Sequence, residues 1–276
     1  MFDEMRRLGF IEGQNLAVVP GSFGFDRDQL AKAAAAVVKA SPDAIVCGPG
    51  PYARALQGAT QIVPLVCMSD DMVGEGLVAS LARPGANTTG ISILSTELDG
   101  KRQDILSEAL PNVQQMGALA HANYTPQRHL RELRNRARDS GIDLTIFEVA
   151  NREEIVPAID RAKLSGVKAL NVLASPLFFD NSRVVIEHIG IVQLPAIYQW
   201  PEMAEQGGFA AYGPGIAELY RQRARMVVEV LKGTKPADLP VEQPTKFELV
   251  INIKTAKALG LTVPQSLLIR ADEIFE

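Results

Sequence analysis

Two adjacent carboxylates, Asp70 and Asp71, and a histidine followed closely by an amide and a phenol, His121, Asn123 and Tyr124, have the most evident chemical capacity in this sequence. Paired carboxylates do acid–base work when their surroundings push their protonation apart. No second carboxylate motif accompanies Asp70 and Asp71, so glycosidase chemistry gains no support. One of them is expected to cap the short helix after Val73, and the other to face solvent or the amine of a ligand. His121 stands at the end of a strand, where a general base would be useful, but no nucleophile or acid is placed with it in the sequence. It reads as a packed strand residue, with Asn123 as the ligand contact. His129 and His188 fall on helices without the cysteine or carboxylate spacing of a metal site. The chain also lacks Gly-x-Ser-x-Gly, a phosphate-binding Walker loop, a dinucleotide fingerprint and a zinc set. No catalytic residue, metal or cofactor is therefore expected.

The remaining candidates suit binding. Gly48-Pro49-Gly50-Pro51-Tyr52 lies between a strand and a helix, where backbone N–H groups can meet an anion. The two prolines have no N–H to offer, which leaves Gly50 and Tyr52 as the expected donors. Pro51 and the Tyr52 ring complete that loop. Ser175 is a candidate hydrogen-bond donor, and Phe178 either lines an apolar wall or packs helix to sheet. Trp200, the only tryptophan, and Tyr212, just before Gly213-Pro214-Gly215, follow two later strands. An aromatic and polar rim of this kind suits a small organic ligand. The arginines 128, 131, 134, 136 and 138 share one helix with Glu132 and Asp139, which reads as a solvated face.

These loops require a frame of strands with helices between them. Short β-branched runs alternate with longer helical stretches from Leu16–Pro20, the first expected strand, to Leu249–Ile251, the last. The strands are continuously apolar, which implies parallel sheets covered on both faces and a doubly wound α/β architecture. Thr89–Ile93, Gly208–Tyr212 and Phe247–Asn252 are extended segments fit to cross between two lobes. Thr96 is placed to cap a helix whose first turn holds Glu97 and Asp99. The 276 residues are enough for two packed domains, and 47% hydrophobic with 22% charged residues is the balance of a globular protein. A net charge of -4 without a basic block argues against a nucleic-acid partner. Cys47 and Cys67 each end an apolar stretch and are expected as buried thiols near the ends of neighbouring strands, not as a bridge.

Three ordered stretches carry a resemblance. They are Arg7-Leu8-Gly9-Phe10-Ile11-Glu12-Gly13-Gln14-Asn15-Leu16; Val73-Gly74-Glu75-Gly76-Leu77 through Leu81-Ala82-Arg83-Pro84-Gly85-Ala86-Asn87-Thr88-Thr89-Gly90; and Leu231-Lys232-Gly233 through Pro240-Val241-Glu242-Gln243-Pro244. With them the chain resembles the ABC-transporter substrate-binding proteins associated with tryptophan and tyrosine uptake. The resemblance implies a two-lobed type I periplasmic-binding-protein fold with three crossovers. Lobe one would hold residues 1–94 and 203–243, and lobe two 95–202 and 244–276. It further implies a monomer in the periplasm that captures an aromatic amino acid, or a related aromatic or organic acid, in the interlobe cleft and serves a membrane permease. Family members usually have a signal peptide and a first strand ahead of the segment at which this chain starts. At the first binding loop Gly48-Pro49-Gly50-Pro51-Tyr52 replaces the usual Gly-Thr and small residues, and Asp71-Met72-Val73-Gly74 replaces Asp-Pro-Val-Gly, which leaves room for a different ligand. The alternative reading is a cytoplasmic ligand sensor with the same fold, although no output segment accompanies it.

Overall fold

The computed structural model describes residues 1–21 and 27–276, apart from the side chains of residues 27, 28, 95 and 96. The chain divides into two compact units, Met1–Leu94 with Ile216–Thr245, and Ser95–Gly215 with Lys246–Glu276. The expected lobe boundary at Met203 falls inside the second unit. The reason is pairing: residues 203–215 contain a strand laddered to neighbours of that unit on both sides.

The first unit contains α1 (Phe2–Arg7), α2 (Arg27–Lys39), β1 (Ile45–Cys47), α3 (Gly50–Ala59), β2 (Leu65–Ser69) and β3 (Thr88–Ser92). Among the described residues its sheet runs β1-β2-β3, all parallel. Ile45, Cys47, Leu65 and Cys67 bury against Ala34 of α2 and Ala53 and Leu56 of α3. Such continuous apolar burial is what keeps a parallel sheet covered. Gly90 in β3 has φ +145°, and a Cβ there would stand 1.8 Å from the Cys67 carbonyl oxygen, so only glycine fits between the strands.

The expected strand Leu16–Pro20 does not form. Its only bridge joins Leu16 to Glu12 across a local turn, and Val19 is 67% exposed. A strand needs a neighbour to satisfy its backbone, and none among the described residues pairs with this segment. Cys47 and Cys67 differ from expectation as well. They face one another in register, with Cα atoms 4.7 Å apart, and are joined as a disulfide. That spacing lies inside the range a bridge requires, which the separation of 20 residues in sequence could not reveal.

The second unit continues with α4 (Ser95–Ala109), β4 (Gln115–His121), α5 (Gln127–Asp139), β5 (Asp143–Val149), α6 (Ile155–Leu164), β6 (Leu170–Val172), α7 (Pro176–Asp180), α8 (Ser182–Ile191), β7 (Ala196–Tyr198), α9 (Pro201–Glu205) and β8 (Ala210–Gly213). The chain returns to the first unit for α10 (Ile216–Leu231), which packs on β2, β3 and α1. It ends in the second unit with β9 (Glu248–Asn252), α11 (Ile253–Ala258), α12 (Gln265–Arg270) and β10 (Glu273–Phe275). The second sheet has the order β10-β9-β8-β7-β6-β4-β5 and is parallel except between β8 and β9. That antiparallel pair is where a chain re-entering the unit meets the strand by which it left. The Thr96 side chain, expected to cap α4, lies outside the described side chains.

Candidate functional site

In each unit the candidate residues gather at the carboxyl ends of parallel strands, where open α/β sheets place their ligand loops. In the first unit, Pro49 takes an extended conformation before α3, and Gly50 opens the helix. The Tyr52 amide is already given to the Pro49 carbonyl at 2.9 Å, so of the two expected donors Gly50 keeps the stronger claim. Gly50 is closely covered: a Cβ there would lie 1.7 Å from Oε2 of Glu75. Glu75 is a residue that sequence reasoning passed over. Its carboxylate accepts the Ser69 hydroxyl at 2.7 and 2.8 Å and the Asp71 amide at 3.2 Å. Arg54 of α3 donates to the Glu75 carbonyl. Glu75 thus ties the loop after β1 to the loop after β2.

Asp71 closes its own turn by accepting the Gly74 amide at 2.8 Å, which is the helix-start role expected of one of the two aspartates. Asp70 is half-buried at the β2 exit, and its carbonyl accepts the Leu94 amide at 2.9 Å. Pro51 and Tyr52 are half-buried on the first turn of α3.

In the second unit His121 ends β4 with its Nδ1 3.0 Å from the Ser175 hydroxyl, a partnership that the sequence does not announce. The Ser175 oxygen also accepts the Leu177 amide at 3.1 Å and so caps α7. The imidazole forms a further bond with the Ala150 backbone. Because the Ala150 amide is given to the Glu154 carboxylate, that bond runs to the Ala150 carbonyl. The Ser175 oxygen is thus engaged by both the imidazole Nδ1 and the Leu177 amide. Burial holds the His121 ring below its ordinary pKa, against the opposing pull of the Ala150 bond. A hydrolytic triad would have a carboxylate where His121 has a backbone carbonyl.

The aromatic candidates sit at different depths. Asn123 is exposed, and Tyr124 stacks on His121 with ring centroids 5.9 Å apart. Phe178 is only 2% exposed and packs as core. Trp200 is buried ahead of α9 and meets Phe179 edge-on at 5.8 Å. Tyr212 is half-buried and stacks on Phe247 at 6.3 Å.

Beneath these exits lies a buried ionic cluster. Asp99 and Arg102, one turn apart on α4, form an ion pair, and His129 Nε2 stands 2.6 Å from the other Asp99 oxygen. Asp99 also accepts the Ala174 amide at 3.3 Å, next to Ser175, while Arg102 donates to the Tyr212 carbonyl at 3.0 Å. Asn171 of β6 reaches the Asp99 carbonyl at 3.0 Å. Burial would raise the Asp99 carboxyl, but Arg102 and His129 together outweigh it and hold the group below its usual range. The cluster fixes the exits of β6 and β8 from below. Among the described residues no group of three or more His, Cys, Asp or Glu is arranged to hold a metal ion, and no helix is long and apolar enough to cross a membrane.

Two α/β units built on parallel sheets, linked by chain crossings and carrying aromatic and polar groups at their strand exits, define the type I periplasmic-binding-protein fold. A conserved domain protein from Vibrio cholerae O1 biovar eltor has the same fold, with a TM-score of 0.89 and 27% identity over 99% of this chain and 92% of that one. The ABC domain of a Streptococcus pneumonia protein, solved in complex with L-Trp, gives a TM-score of 0.87 and 26% identity with the same coverage. A tyrosine-binding protein of Clostridioides difficile (strain R20291) is 24% identical over 256 residues, 92% of this chain and 73% of that protein. The sequence profile of the family described as ABC transporter substrate binding protein matches residues 3–275, and the chain belongs to that family.

Proposed function

We propose that this protein is the solute-capturing component of an ABC importer, working outside the cytoplasm and delivering its cargo to a membrane permease without altering it chemically. The proposed cargo is an aromatic amino acid or a related aromatic or organic acid, held by the strand-exit loops. The observation that carries the reading is the His121–Ser175 pair. A hydroxyl and an imidazole meet at a strand exit, yet the ring is completed by the Ala150 backbone and the hydroxyl caps a helix. The arrangement spends its polar groups on shape, as a binding loop does. Tyr124 stacks on His121, and Trp200 and Tyr212 at later strand exits are further rings for an aromatic solute. The relatives named for tyrosine and solved with L-Trp support the same class of cargo.

A thermal-shift scan against amino acids, aromatic acids, purines and short-chain organic acids tests this reading. A ligand that binds only the native state raises the melting temperature by mass action. The expected result is a rise with aromatic amino acids or acids, with the compound recovered intact. Conversion of the compound, or a rise confined to purines, would contradict it.

A further inference from the structure

Arg223 of α10 is a buried cation in the first unit that nothing above has used. It is 9% exposed, and its Nε has no hydrogen-bond partner among the described residues. Its one hydrogen bond runs from Nη1 to the Cys47 carbonyl at a long 3.4 Å, and its guanidinium stands 5.1 Å from the centre of the Tyr220 ring. Burial pushes the Arg223 guanidinium below its ordinary pKa, with Tyr220 acting against it, and among the described residues no carboxylate pairs with the charge. Of the guanidinium's donors, Nε is thus left unused among the described residues. A buried charge without a partner is costly, and an anion from outside the chain would relieve that cost.

The place of this cation matters. Cys47 ends β1, and Gly50 follows within three residues, a span of at most about 10 Å. The start of α3 at Gly50 would itself suit an anion, but the Glu75 carboxylate already lies against it. Glu75 is held by neutral donors, the Ser69 hydroxyl and the Asp71 amide, and Asp70 and Asp71 flank it with further negative charge. The β1 exit is therefore met by a buried cation at Cys47 and by a carboxylate at Gly50.

Resting on the importer reading above, we propose that Arg223 and Glu75 hold the zwitterionic head of an α-amino-acid solute, the guanidinium taking its carboxylate and Glu75 its ammonium group. Guanidinium and carboxylate match in a two-bond fork, whereas an ammonium needs only point charges and acceptors.

The test is a calorimetric titration with L-tryptophan and L-tyrosine, their decarboxylated amines tryptamine and tyramine, and their deaminated acids indole-3-propanoate and 3-(4-hydroxyphenyl)propanoate. In the wild type the amino acids should bind at least roughly tenfold more tightly than either truncated series, since each loses one charged contact. Arg223→Gln should weaken the amino acids and the acids by roughly tenfold or more while leaving the amines unchanged. Glu75→Gln should do the reverse, weakening amino acids and amines and sparing the acids. Amino acids bound equally by wild type and Arg223→Gln, or amines weakened as much as acids, would overturn the assignment. If Arg223→Gln does not fold, the wild-type series alone decides: amines bound as tightly as amino acids leave no carboxylate contact for Arg223. A wild type that binds none of the six compounds overturns the aromatic cargo of the importer reading on which the proposal rests, an outcome distinct from these.

Discussion

The two units achieve order by different means. The second lays seven strands in one sheet and sets a buried Asp99–Arg102–His129 cluster beneath its strand exits. The first has three strands among the described residues, and its outer strand β1 is three residues long with Val46 36% exposed. There a covalent bridge, Cys47–Cys67, joins β1 to β2 in register. The lesson is that one sheet holds its strand-exit loops by burial and a charge network, and the other by a cross-link and by carboxylate bonds within the loop after β2. Perturbations should therefore be local and of different kinds in the two units.

Replacing Asp99 should have the largest effect. Asp99→Asn leaves Arg102 buried without its counter-charge, and stability should fall by about 3–5 kcal/mol in urea unfolding. Amide exchange should rise first in β4, β6 and β8, whereas equal loss of protection in β1–β3 would break the contrast between units. The same group sets an acid limit. Its folded pKa is lowered, so its contribution is complete above the unfolded value of about 3.9 and is lost as pH falls through the folded value. Acid should loosen the second unit over that interval, and Asp99→Asn should flatten this part of the stability–pH curve.

Next comes the bridge. Reducing Cys47–Cys67, or replacing both cysteines with serine, frees a loop with a sequence separation of 20 and should cost about 3 kcal/mol, felt in the first unit alone. Gly50→Ala should cost about 1–3 kcal/mol, because its Cβ must displace Glu75, and it should weaken solute binding more than Gly58→Ala, where a Cβ meets nothing within 4 Å. The smallest expected effect is Ser175→Ala, about 1 kcal/mol for the lost cap of α7. Thermal melts of the two alanine variants would rank them, and a larger loss from Ser175→Ala would show that the His121 bond holds more than a helix end.

The sequence disclosed the frame better than the site. Apolar runs separated by helical stretches gave the parallel sheets, because burial on both faces leaves a local pattern. Leu16–Pro20 had the composition of a strand, but pairing is a property of neighbours and composition cannot supply one. The bridge, the His121–Ser175 bond and the Glu75 tie each join residues that only the sheet register or loop folding brings together. Gly50 gave a partial signal, since a glycine between two prolines suggests a close approach, though not of which group. In the sequence nothing sets Arg223 apart from the other charges of Ile216–Leu231. Only its burial beside the β1 exit distinguishes it.

The central claim is capture without chemistry, and equilibrium dialysis of the purified protein against L-tryptophan and L-tyrosine, followed by mass spectrometry of the released compound, tests it directly. The account predicts saturable binding of at least one of them at one site per chain, with the compound returned at its original mass. Release of an altered compound would contradict it, and binding of neither would contradict the aromatic amino-acid cargo.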